Sequence, residues 1–193
     1  MRFLIVLLLL LGLGGGVVYV LSQQEPPAAA GLKPVVASAT AAKSFDAKVD
    51  SVQAAIDEAK RTGQAKAVEV TFTEEELTSK AATAATTATG GLVATNPQIH
   101  LSGGNIIATS SVSVQGFQLN VGVVATPVVE DGKTKIVVKE IQTGAIPIPD
   151  AIKKLLESQI GAAIDPKALG IGIDVTKLQV VDGKLVLAGT AKP

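Results

Sequence analysis

The chain of 193 residues contains no cysteine and no tryptophan, one tyrosine, four phenylalanines and one histidine. Without cysteine there can be no disulfide framework, no thiolate metal site, no cysteine nucleophile and no lipid-modified lipoprotein terminus. Aromatic residues make up only 3%, so base-stacking platforms and aromatic cages are poorly supplied, and the core must be built from Val, Ile, Leu and Ala. Excess charge of either sign is also lacking, since 17 basic residues face 17 acidic ones. A neutral chain has no electrostatic footprint for nucleic acid or for strong attraction to anionic headgroups.

Long apolar runs are confined to the N-terminus. From Phe3 to Leu21 there are 19 residues without one charge, preceded by Arg2. As a helix this segment would be about 28 Å long, close to one hydrocarbon core. Arg2 favours a cytoplasmic N-terminus, which places the remainder outside the cytoplasmic membrane as a single-pass protein. A signal peptide cut near Val20-Leu21-Ser22 competes with an uncleaved anchor, although signal peptides have shorter apolar regions. Both readings export the domain. Arg2 is the only charge removed with this segment, so residues 22–193 keep 16 basic and 17 acidic residues.

Residues 22–43 are rich in Ala, Pro and Gln and have no usable period, as expected for a linker. The extracytoplasmic domain is expected over 44–193. Phe45, Val49, Val52, Ile56 and Ala59 recur at steps of four and three, one face of a helix, with Ser44 as its expected N-cap and Gly63 as its C′ residue. Val68, Val70 and Phe72 alternate with polar neighbours in a strand. Thr73 and Glu76 then have the spacing of a capping box, opening a helix weakened by an Ala/Thr mixture over Ala81 to Thr89.

A two-residue turn at Gln115-Gly116 pairs Val114 with Phe117, Val112 with Leu119, Ser110 with Val121, Ala108 with Val123 and Ile106 with Ala125. Apolar residues then share one face of a hairpin, with Ser113, Gln118, Ser111 and Asn120 on the other. A second turn at Asp131-Gly132 leads into Lys135–Ile141. Its simple register would set Glu140 against Val123, so a bulge near Pro127 is expected. A third hairpin turns at Asp182-Gly183 and pairs Leu178 with Leu187 and Val180 with Leu185. Between the last two, Pro149 and Asp150 suit the start of a helix whose stripe is Ile152, Leu155, Leu156, Ile160 and Ala163. The fold class is therefore α+β: a long-stranded antiparallel sheet with about three helices available to cover one face.

Nothing in this pattern points to catalysis. His100 stands alone between strand-like Ile99 and Leu101, which fits a structural histidine better than a ligand. Glu74, Glu75 and Glu76 are accounted for by helix capping and dipole compensation, and no oxygen-ligand loop with calcium spacing occurs. Ser110, Ser111 and Ser113 lack a strand-to-helix nucleophile turn, and no helix follows Gly103-Gly104, which reads as a turn. No enzyme activity, cofactor or metal is expected. What remains is apolar surface, which closes as ordinary core or stays open as a groove for acyl chains.

The succession of phrases carries a resemblance. Val70-Thr71-Phe72-Thr73-Glu74-Glu75-Glu76-Leu77 is followed by the Gly103-Gly104 turn and the Val112–Val124 hairpin. Then come Val128-Val129-Glu130-Asp131-Gly132-Lys133, Gly144-Ala145-Ile146-Pro147-Ile148-Pro149 and Leu178-Gln179-Val180-Val181-Asp182-Gly183-Lys184-Leu185. This order resembles bacterial membrane-anchored extracytoplasmic domains of the LmeA-like and YpmS-like kind, over residues 44–191. The resemblance implies a tubular lipid-binding architecture, a strongly curved antiparallel sheet wrapped around a helix, and phospholipid binding at the cell envelope. The expected lipid wall is Ile106, Val112, Val114, Phe117, Leu119, Val121 and Val123, closed by Ile152, Leu155, Leu156 and Ile160. The alternative is a structural or protein-interaction domain of the envelope whose core is fully packed and holds no ligand.

Overall fold

In a computed structural model, residues 27–85, 93–114, 117–130, 133–143 and 173–193 are described. The apolar segment 3–21 and the expected helix with Ile152, Leu155, Leu156 and Ile160 lie outside them. Among the described residues no helix is long and apolar enough to cross a membrane.

The first long element is helix α1, Ala39–Thr62. It starts six residues before the position expected from Ser44 as cap, because Ala39 to Lys43 contains good helix formers and Ser38 supplies an equally good cap. Ser38 has extended backbone angles and its Oγ accepts from the Ala41 amide at 3.0 Å. Gly63, at φ 67°, ends the helix in the left-handed region where a Cβ would be strained.

Strand β1, Lys66–Thr73, buries Val68, Val70 and Phe72 on one face, as the alternation predicts. Helix α2, Glu74–Ala85, follows directly and opens with the expected capping box. The Thr73 amide donates to Glu76 Oε2 at 2.9 Å, and the Glu76 amide donates to Thr73 Oγ1 at 3.2 Å.

The remaining strands are β2 (Val93–Ser102), β3 (Asn105–Val114), β4 (Phe117–Glu130), β5 (Lys133–Thr143), β6 (Ile173–Val181) and β7 (Lys184–Ala191). All pairings are antiparallel. The single sheet expected from the sequence is in fact two: β1-β7-β6, and β2-β3-β4-β5. The hairpins alone could not reveal this division, because strand β1 reaches its partner β7 only through a contact more than 100 residues away.

The β3–β4 register is the expected one, pair by pair from Ile106–Ala125 to Val114–Phe117. The β6–β7 hairpin likewise pairs Leu178 with Leu187 and Val180 with Leu185. Its turn carries positive φ at Asp182 and Gly183, the geometry of a tight type I′ turn. The bulge between β4 and β5 exists but is displaced. Pro127 pairs regularly with Ile136, and the shift falls between Val124–Glu140 and Ala125–Val138, which leaves Lys139 as the extra residue. Pro127 is tolerated because β3 stops pairing at Ala125, so β4 has only one sheet neighbour there. The shift sets Ile141, not Glu140, against Val123 and keeps the carboxylate off the core.

The principal core joins both sheets and both helices. Phe45 of α1, Leu77 and Ala81 of α2, Val70 and Phe72 of β1, and Val180 and Leu185 of the smaller sheet meet Ile99, Leu101, Ile106, Ala108, Val123 and Ala125. The Phe45 and Phe72 rings lie 4.8 Å apart in a tilted stack. A second cluster gathers Ile56, Ala59, Val68, Ile173, Val175 and Ala191 around the end of α1.

Candidate functional site: the inner face of the four-stranded sheet

The inner face of the larger sheet is built in rows across its strands. Leu101, Ile106, Ala125 and Val138 form one, and Ile99, Ala108, Val123 and Ile141 form the next. Both rows pack into the principal core. The face then continues in register through Ser110–Val121–Thr143, Val112–Leu119 and Val114–Phe117. From Val123 to Phe117 this extension covers about 20 Å of strand.

The residues expected to form a lipid wall thus divide. Ile106 and Val123 are core residues, buried among neighbours. Val121 is partly buried and packs against the same core. Val112, Val114, Phe117 and Leu119 occupy the extension at the register positions expected for them. Ser110 interrupts the apolar series, but its hydroxyl donates to the carbonyls of Thr95 at 3.1 Å and Ser111 at 3.3 Å, which removes most of its polar cost.

Two features around this face were not legible in the sequence. Helix α2 closes the free edge of β2 with side chains. Thr78 Oγ1 accepts from the Ile99 amide at 2.9 Å and lies 3.3 Å from the Ile99 carbonyl, to which it is placed to donate. Glu74 Oε1 accepts from the Leu101 amide at 2.6 Å. The second is a strap. Part of the stretch read as linker crosses the outer face of the sheet: the Ala28 amide donates to Gln142 Oε1 at 2.7 Å and the Val35 amide to Gln98 Oε1 at 2.6 Å. Gln98, Thr109, Gly122 and Gln142 form a single row across the four strands, and Thr109 and Gly122, between the glutamines, are buried.

The three glutamates do more than cap a helix. Glu74 serves β2, and Glu75 Oε1 accepts from Ser38 Oγ at 2.9 Å. Glu76, 6% exposed, takes Lys48 Nζ at 2.6–2.7 Å and Ser44 Oγ at 2.5 Å besides the Thr73 amide. Burial pushes its pKa up, but the bonds from Lys48, Ser44 and Thr73 and the Lys48 charge outweigh burial and hold it below the usual carboxylate value. These bonds fasten α1 to β1 and α2. His100 is buried in β2 opposite Ile107, and among the described residues no group of three His, Cys, Asp or Glu could hold a metal.

An apolar sheet face whose register continues from the Ile99–Ala108–Val123–Ile141 row to Val114–Phe117, with no titratable residue at those positions, is suited to holding hydrocarbon. The model of the LmeA-like phospholipid-binding family matches residues 28–190. The chain belongs to that family. The match to the LmeA-like family begins at Ala28, the residue at which the strap takes hold of Gln142. Family membership supports lipid binding by this domain. No curated protein and no solved structure shows a significant match.

Proposed function

We propose that this LmeA-like domain binds phospholipid by its acyl chains along the inner face from Ser110 and Val121 to Val114 and Phe117, outside the cytoplasmic membrane. It does so without a catalytic step, as a carrier or holder tethered by the Phe3–Leu21 segment. The observation that carries the reading is the continuation of the apolar register past the Ile99–Ala108–Val123–Ile141 row as far as Val114 and Phe117. Each methylene removed from water contributes about 0.8 kcal/mol, so roughly ten of them correspond to the free energy of a micromolar complex before association costs. No headgroup-specific motif is required for binding of that strength. Ile152, Leu155, Leu156 and Ile160, apolar at helical spacing in the sequence, are the proposed cover.

The test uses residues 22–193, purified without the apolar segment. Phospholipid should be found in an organic extract by mass spectrometry, and diazirine-bearing acyl chains should crosslink within 110–121. V121W should lower uptake of labelled phospholipid while far-UV circular dichroism stays unchanged. Lipid-free protein that takes up no labelled phospholipid would leave a packed envelope interaction domain as the better reading, one to which the core positions of Ile106 and Val123 already lend support.

A further inference from the structure

The two ends of the four-stranded sheet differ in charge. From Ala81 to Val129 there are 49 residues with no Asp, Glu, Lys or Arg. This stretch contains all of β2 and β3 and nearly all of β4. At one end of the sheet β3 runs out at Val114 and β4 starts at Phe117, β2 begins at Val93, and β5 ends at Thr143. The chain beyond Thr143 carries no charge before Asp150. The opposite end holds the Ser102–Asn105 turn, the end of β4 at Glu130 and the start of β5 at Lys133, with Lys135 close by on β5. At the uncharged end the outer-face pairs are Ser113–Gln118 and Ser111–Asn120, and Ser111 Oγ bonds Asn120 Oδ1 at 2.6 Å. Apolar residues alternating with uncharged hydrogen-bonding ones suit the boundary between headgroups and acyl chains.

The strap gives this asymmetry a direction. Between Leu21, the last residue of the apolar segment, and Ala28, fixed on Gln142, the chain spans at most about 24 Å when fully extended. From the Gln142 row, the Val114–Phe117 end lies five residues along β4 and the Glu130 end eight. Those are about 17 Å and about 27 Å of strand. The shorter distance is within the tether's reach, and the longer one is not.

We infer that the β3–β4 hairpin end of the four-stranded sheet is the surface that docks on the lipid bilayer, held toward it by the strap. The inference rests on the lipid-binding and anchor readings and adds where lipid enters. The inner-face extension then opens at the bilayer itself, so an acyl chain passes from membrane to sheet without crossing water.

The natural chain has no tryptophan, so single introduced ones report cleanly. The full chain is reconstituted into phosphatidylcholine vesicles with brominated acyl chains, carrying either F117W at the hairpin or S102W at the opposite turn. F117W emission should be quenched severalfold more than S102W emission and shifted to the blue. S113W, on the other face of the same hairpin, replaces F117W if that variant loses its far-UV signal. Equal quenching, stronger quenching of S102W, or release of the chain from vesicles by alkaline carbonate overturns the inference. Lipid in the organic extract of residues 22–193 is scored separately, so loss of the docking inference leaves the binding reading standing or fallen on its own result.

Discussion

Replacing Glu76 by alanine tests the join between α1, β1 and α2. The carboxylate accepts from the Thr73 amide, Ser44 Oγ and Lys48 Nζ, and is 6% exposed. Loss of the capping partner costs about 1 kcal/mol. Loss of charge-assisted bonds to a buried carboxylate costs about 2 kcal/mol more. The Lys48 side chain is 32% exposed and also donates to the Thr71 carbonyl at 2.7 Å, so its charge is not stranded and the higher penalties of fully buried pairs do not apply. The sum, about 3 kcal/mol, lowers Tm by roughly 6–12 °C in a domain of this size. Thermal melts of residues 22–193 by far-UV circular dichroism read this directly.

The pH dependence gives an independent check. The folded pKa of Glu76 is depressed, so its stabilisation is complete above the unfolded value, about 4.3, and disappears as pH falls through the lower folded value. Between pH 6 and pH 3 the natural chain should therefore lose more Tm than E76Q does. An E76A melt within a degree of the natural chain, or parallel pH profiles for the natural chain and E76Q, would refute the account.

G189A should cost about 1–3 kcal/mol, because a Cβ there would clash with the Asp174 carbonyl oxygen beside the β6 bulge; urea unfolding reads the loss. T78V should cost about 1–3 kcal/mol, since the fully buried hydroxyl serves the Ile99 amide, and hydrogen exchange at Ile99 should quicken. Q98A combined with Q142A should free the strap, seen as faster exchange at Ala28 and Val35. If exchange at those two amides is unchanged, the glutamines do not hold the strap.

What the sequence disclosed was whatever local chemistry determines. The β3–β4 register follows from alternation and needs no tertiary information, and so does the β6–β7 hairpin around Asp182 and Gly183. The Thr73–Glu76 box is likewise complete within four residues. The start of α1 was misplaced because Ser38 and Ser44 are equivalent as local caps. The choice depends on Ser79 and Glu75, which accept from the Ser38 amide and hydroxyl across 41 and 37 residues. The strap had no period to detect, since it is held by its own backbone amides on glutamine side chains far along the chain. Strand β2 was obscured by Asn96, at φ 50°, and Pro97, where its pairing with β3 shifts. For the candidate wall, periodicity gave the correct face. It could not tell that Ile106 and Val123 on that face are buried in the core, which depends on helices and strands far along the chain.

The closure of the β2 edge by Thr78 and Glu74 matters more for a tethered protein than for one free in solution. Confinement near a bilayer turns a dilute population into a crowded two-dimensional one, in which neighbouring copies meet repeatedly in similar orientations. An open strand would then recruit the same strand of the next copy, and a row of such additions would grow along the surface as a fibre. Helix α2 occupies that position with side-chain bonds, while Lys135, Lys139 and Glu140 place exposed charges along β5 at the other edge. For the tethered lipid carrier proposed above, helix α2 on one edge and three charges on the other would keep neighbouring copies on one membrane patch separate.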